Sequence, residues 1–146
     1  MSATSRSAAS ETWPSLPLEV WADTYATLHL WTQIVGKIRH TLSPRLAHCW
    51  SDTLSVTARG LTTSPIPFGS RVFEIEFDFI EHALAVRTAE GAVERVALQP
   101  QSVAAFYRLV FAALERLRID VRIVRKPNEV AEPVPFDEDE RHASYD

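Results

Sequence analysis

The sequence predicts an α+β domain: an antiparallel sheet of about five strands with two long helices packed on one face, in the order α-β-β-β-β-α-β. Three observations predict it. Apolar residues recur at helical spacing in two separated stretches, one after Pro17 and one after Pro100. Between those stretches they recur at every second position, as in strands. The alternation is strict enough to give the sheet one packed and one polar face, the mark of antiparallel pairing with the helices gathered on one side.

The elements follow in order. Residues Met1 to Thr12 are small and polar with nothing to bury, and read as a disordered tail. Pro17 suits a first helical turn, where its missing N–H costs nothing. At 100° per residue Val20, Trp21, Tyr25, Leu28, Trp31, Val35, Ile38 and Leu42 form one stripe, and the helix should stop near Ser43-Pro44. Leu54, Val56 and Ala58 then alternate with polar residues. So do Phe73, Ile75, Phe77 and Phe79 with Glu74, Glu76 and Asp78. Leu84 and Val86 give a third strand and Val96 and Leu98 a fourth, joined across Glu90-Gly91. Ser102 is placed to cap a second helix carrying Val103, Phe106, Val110, Ala113 or Leu114, and Leu117. Asp120–Arg125 offers a fifth strand through Val121 and Ile123. The predicted organisation is thus a tail over 1–12, one α+β domain over 13–125, and an extended, solvated, proline-rich acidic segment over 126–146.

Composition excludes several classes. With 146 residues, 46% hydrophobic and 23% charged, the chain can bury a core, and wholesale disorder is ruled out. One cysteine, Cys49, excludes an internal disulfide framework and a cysteine-rich zinc site. A net charge of −4 argues against nucleic-acid binding, which draws on clustered cations. No stretch approaches the roughly 20 apolar residues of a membrane span, and the N-terminus lacks a signal-peptide core, so the cytoplasm is the expected location.

Four constellations are candidates for chemistry. On the flank of the first helix away from the tryptophans, Ala22, Ala26, His29, Gln33, Gly36, Lys37 and His40 replace the Glu and Lys of an ordinary solvated face. His29, Gln33 and Lys37, one turn apart, suit a partly buried wall that meets a polar ligand, with His29 as the acid–base candidate. The plainer reading is that another segment packs on the small residues and the polar groups bond to backbone. In Arg59–Gly69, an arginine beside Thr62, Thr63 and Ser64 suits a carboxylate or phosphate. Alternatively those hydroxyls cap the turns of a strand connection. Glu74, Glu76 and Asp78 form an acidic row that Arg59, Arg87, Arg95 and Arg122 on other strands can neutralise. Cys49 lies between His48 and Trp50, but neighbours on extended chain point apart, so His48 is a poor base and a buried structural cysteine is the better reading. His29, His40, His48, His82 and His142 show no metal-ligand spacing, and no metal or cofactor is assigned.

Three stretches resemble a bacterial family of unknown function, domain of unknown function 5996. They are Trp31-Thr32-Gln33-Ile34-Val35-Gly36-Lys37, Thr57-Ala58-Arg59-Gly60-Leu61-Thr62-Thr63-Ser64-Pro65-Ile66-Pro67, and Pro135-Phe136-Asp137-Glu138-Asp139 with His142-Ala143-Ser144-Tyr145-Asp146. The resemblance supplies no reaction. It implies that members continue past the position of Asp146, so that this chain matches their N-terminal half.

Two functions are therefore expected. The first is a small-molecule binding module or small-substrate enzyme, its anionic ligand held between Gln33 and Lys37 on the helix and Arg59, Thr62, Thr63 and Ser64 on the loop. The second is a non-catalytic interaction domain that pairs with itself or with a missing second half.

Overall fold

The computed structural model describes residues 15–44 and 53–146. The expected tail over 1–12 and the His48-Cys49-Trp50 group lie outside the described residues. Helix α1 (Leu18–Leu42) precedes strands β1 (Ser55–Val56), β2 (Gly60–Thr62), β3 (Ile66–Phe68), β4 (Arg71–Asp78), β5 (Ala83–Thr88) and β6 (Val93–Ala97). Helix α2 (Val103–Arg116) and a short 3-10 turn (Phe136–Glu138) follow.

The sheet is antiparallel throughout, in the order β1-β2-β4-β5-β6, with β3 also on β4. Strands β2 and β3 lie end to end along one edge of β4. Thr62 pairs with Glu76 and Ile66 with Phe73, so the β2–β3 side holds one residue more than β4 over the same span. They are two halves of one bulged strand, and in that sense the sheet is five strands wide. Gly60 sits where β2 presses on β4: a Cβ there would lie 2.0 Å from the Phe77 carbonyl oxygen, so no larger residue fits without moving the strand.

The core forms where the alternating residues of the sheet meet both helices. Phe73, Ile75 and Phe77 of β4, Leu84 and Val86 of β5, and Val96 of β6 are buried against Val103, Phe106, Val110 and Leu114 of α2 and Leu30, Trp31, Ile34, Val35 and Ile38 of α1. The Trp31 ring stacks on Phe106 with centroids 4.5 Å apart, and Phe106 lies 6.3 Å from Phe77. That chain of rings ties both helices to the same sheet face.

Three expectations need correction. The buried face of α1 is not the apolar stripe in its first turns: Val20 is 76% and Tyr25 50% exposed, while Thr24 and Thr27 are buried. The helix kinks at Trp21 (φ −130°, ψ 19°), and the buried Thr27 hydroxyl accepts the Ser144 N–H. A tertiary partner, invisible to a count of apolar residues, therefore selects the inward face. Asp120–Arg125 joins no ladder: Ile119 and Val121 are buried, but these residues alternate by packing and not by strand pairing.

The acidic C-terminal segment is extended but only partly solvated. Phe136 and Asp139 are buried, and Tyr145 stacks on Trp31 with centroids 5.7 Å apart. This segment also completes the start of α2. Ser102 caps Ala105 as expected, while the N–H groups of Val103 and Ala104 are taken by the carbonyls of His142 and Asp139. Asp139 in turn accepts the N–H groups of Arg141 and His142 and pairs with His142 Nδ1 at 2.7 Å, which leaves a buried carboxylate well matched.

Candidate functional site

The polar flank of α1 forms one wall of a groove. His29, Thr32, Gln33, Gly36, Lys37, His40 and Thr41 line it from the helix; Leu54, Leu61, Val124, Asn128 and Glu129 face them, around a cavity of about 830 Å³. That volume is in the range of small-molecule sites. His29, Gln33, Gly36 and Lys37 are half-buried, so the flank is covered and does not stand in open solvent.

What covers it is the segment after α2. The Gln33 side-chain amide grips the backbone of Asn128 at both ends: Nε2 donates to the Asn128 carbonyl at 2.9 Å, and Oε1 accepts the Asn128 N–H at 2.8 Å. This fixes the orientation of the amide. Its second N–H faces His29 Nε2 at 3.3 Å, so that ring nitrogen is the acceptor in this contact. Every polar atom of Gln33 is thereby matched, and Nε2 of His29, the natural atom for a general base, is occupied. Tyr25 stacks on the His29 ring with centroids 6.1 Å apart.

Lys37 is placed differently. Its ammonium donates to the Asn128 side-chain oxygen at 3.3 Å, and among the described residues no carboxylate lies within ion-pair distance. Burial pushes its pKa below the ordinary lysine range. The groove thus contains a half-buried cation whose partner is neutral.

A family model described only as of unknown function matches residues 13–146, a span that contains every element of the fold and every residue of the groove. The chain belongs to the DUF5996 family. No curated protein and no solved structure matches it.

The second group of expected ligands in this DUF5996 chain is placed elsewhere. Arg59–Gly69 is not a loop but the bulged β2–β3 strand, and its hydroxyls serve the bulge. Thr63 N–H donates to the Ile75 carbonyl at 2.9 Å, and its buried Oγ1 accepts the Ile75 N–H at 3.0 Å. The same hydroxyl donates to the Ser64 carbonyl, and the Ser64 N–H donates to Thr62 Oγ1 at 3.0 Å. Ser64 adopts a φ of 58°, the left-handed turn that admits the extra residue. Arg59 donates to Asp78 at 2.7 Å and also reaches Glu81. Neither Arg59 nor Thr62, Thr63 or Ser64 lines the α1 groove.

Two of the three acids in the row, Glu76 and Asp78, pair across the sheet. Arg87 donates to Glu76 at 2.6 Å and Arg59 to Asp78. The Arg59 guanidinium, then the N–H groups of Glu81 and Ile80, hold the Asp78 carboxyl below its ordinary pKa. A smaller recess of about 490 Å³ lies among Arg59, Asp78, Glu81, Ala83, Arg87 and Arg95. Three arginines and two carboxylates line it.

Sequence reasoning missed Asn128, Leu54, Leu61 and Val124. Leu54 falls in a predicted strand, Leu61 in the predicted Arg59–Gly69 connection and Asn128 in the predicted solvated segment; nothing local says that Gln33 pairs with Asn128 95 positions away. Among the described residues no helix is long and apolar enough to cross a membrane, and no three His, Cys, Asp or Glu side chains are grouped to hold a metal ion.

Proposed function

We propose that this domain is a cytoplasmic binding module for a small anionic ligand, seated in the α1 groove with its charge on Lys37. The observation that carries the reading is the half-buried Lys37 ammonium with a neutral partner in a cavity of about 830 Å³. A cation desolvated without a counter-charge is costly, and an anion arriving there offsets that cost. Gln33 contributes by holding the far wall in place, and His29 contributes its ring to the groove's end. A lone cysteine suits a reducing compartment and supports the cytoplasmic location.

The test is calorimetry and thermal shift of the full chain with acetate, benzoate, octanoate, citrate and inorganic phosphate, repeated on Lys37→Met. A ligand present at 100 times its Kd stabilises the native state by about 2.7 kcal/mol. At least one of these anions should do so in the wild type and fail in the variant. If none produces a Lys37-dependent shift, the reading is wrong.

A second reading, self-association, is favoured by one observation: Leu16, Leu18, Val20 and Tyr25 are all exposed around the start of α1. Sedimentation of the wild type and of Val20→Asp separates the two. A dimer that the substitution dissociates supports pairing, and a wild-type monomer refutes it.

A further inference from the structure

Resting on that reading of the groove, we infer the class of its ligand: a monocarboxylate with an apolar body, whose head replaces the Asn128 side-chain oxygen on Lys37 and whose body lies along Leu54, Leu61 and Val124.

Five features lead there. Among the described residues the groove offers a single lysine and no arginine, so it has a point charge but not the planar fork that recognises phosphate. Glu129 stands on the same rim, and a second negative charge on the ligand would meet it at a cost. One anionic charge is what this pair of residues selects. Opposite the helix the wall is apolar. Leu54 and Leu61 are half-buried, Val124 is 70% exposed, and Gly36 adds no side chain between them and the helix. Water bound to that wall is released when an apolar body covers it.

The fourth and fifth features concern Asn128. Its side-chain oxygen already sits on the ammonium, a planar sp² oxygen in the position that a carboxylate oxygen would take. Gln33, however, holds Asn128 only by its backbone N–H and carbonyl. The side chain can therefore leave Lys37 while the segment stays clamped. The structure separates the latch, which Gln33 closes, from the place on Lys37 that a ligand takes over.

Three variants of the full chain and four probes test this by calorimetry: wild type, Asn128→Ala and Val124→Asn, against octanoate, benzoate, acetate and inorganic phosphate. Octanoate should bind wild type about 50-fold tighter than acetate, the factor for burying three of its six additional methylenes. Benzoate should fall between them, and phosphate should bind no tighter than acetate. Asn128→Ala keeps the backbone clamp and frees the lysine, so every carboxylate should gain severalfold. Val124→Asn should weaken octanoate at least fivefold and leave acetate within twofold. Octanoate no tighter than acetate, phosphate the tightest of the four, or octanoate indifferent to Val124→Asn overturns the ligand class while leaving a Lys37 anion site standing. Absence of Lys37-dependent binding by any probe overturns the site itself, and this inference with it.

Discussion

Replacing Thr63 by valine removes one oxygen from the middle of the sheet and almost nothing else. Valine matches threonine in shape, so packing against the core is kept and the cost is that of two hydrogen bonds. The first is the Ile75 N–H, which donates to Thr63 Oγ1 at 3.0 Å where the bulge interrupts the ladder between β2 and β3. Thr63 is fully buried, so in the variant that N–H faces a methyl group with no water to replace the hydroxyl. A buried donor left unmatched costs about 1–3 kcal/mol. The second is the bond from the hydroxyl to the Ser64 carbonyl at 2.8 Å, in a half-buried position where solvent can partly compensate; about 0.5–1 kcal/mol is expected there. Thr63→Val should therefore lose about 1.5–4 kcal/mol. Thr63→Ser, which keeps the oxygen and loses one methyl, should lose about 1 kcal/mol. Urea unfolding of both variants measures the difference, and hydrogen exchange at the Ile75 amide locates it. A Thr63→Val protein as stable as Thr63→Ser would refute the assignment of this hydroxyl to the bulge.

Three further outcomes follow from other parts of the molecule. Phe136→Ala empties a fully buried ring site beneath the C-terminal segment, so it should cost about 3–5 kcal/mol in denaturant and open residues 126–146 to limited proteolysis. Asp78 has its carboxyl pKa held below the unfolded value, so its contribution to stability is complete above the unfolded pKa and is lost as pH falls through the folded one. Asp78→Asn should flatten that acidic limb of a stability–pH profile. Lys37 is shifted the other way relative to its charge: burial lowers its pKa, so carboxylate affinity should fall with rising pH before the ordinary lysine range is reached. Lys37→Arg, which does not deprotonate, should retain binding over that interval in calorimetry.

What the sequence made legible was the periodic part of the fold. Phe73, Ile75 and Phe77 alternate because one face of β4 is packed, and Ser102 caps α2 because its hydroxyl meets the Ala105 N–H. Both signals are local, and both survive folding. The half-burial of His29, Gln33 and Lys37 was also readable, since a flank without Glu is ill suited to water. The features that were not legible depend on contacts far apart in the chain. Thr24 and Thr27 read as polar, yet they are buried where residues near 144 close over α1. In Phe136-Asp137-Glu138-Asp139 the acids dominate any compositional reading. The three-residue spacing of Phe136 and Asp139 lets both turn inward at the start of α2, leaving Glu138 outside and Asp137 in an ion pair with Arg125. Thr62, Thr63 and Ser64 had the composition of an anion site because a bulge and an anion site both need short side chains that bond to backbone. Only the one-residue mismatch between β2–β3 and β4 tells the two apart, and it exists only after the strands have paired.

The contrast between Gln33 and Lys37 gives the groove its functional sense. They are one turn apart on the same helix and both reach Asn128. Gln33 is saturated: two backbone bonds and the His29 ring account for its whole amide, so a ligand can approach it only by breaking the wall of its own site. Lys37 donates at 3.3 Å to the Asn128 side-chain oxygen, and among the described residues no carboxylate lies within ion-pair distance of it. Structural polar contacts in protein interiors tend toward the first condition, because unmatched groups are expensive. The second condition is the one that the proposed anion would meet. On that ground Gln33→Leu should loosen the segment around Asn128 and lower stability, whereas Lys37→Met should relieve a half-buried charge and cost little stability or even add some. A Lys37→Met protein as destabilised as Gln33→Leu in urea would mean that the lysine, too, serves the fold, and the groove would lose its recognition element.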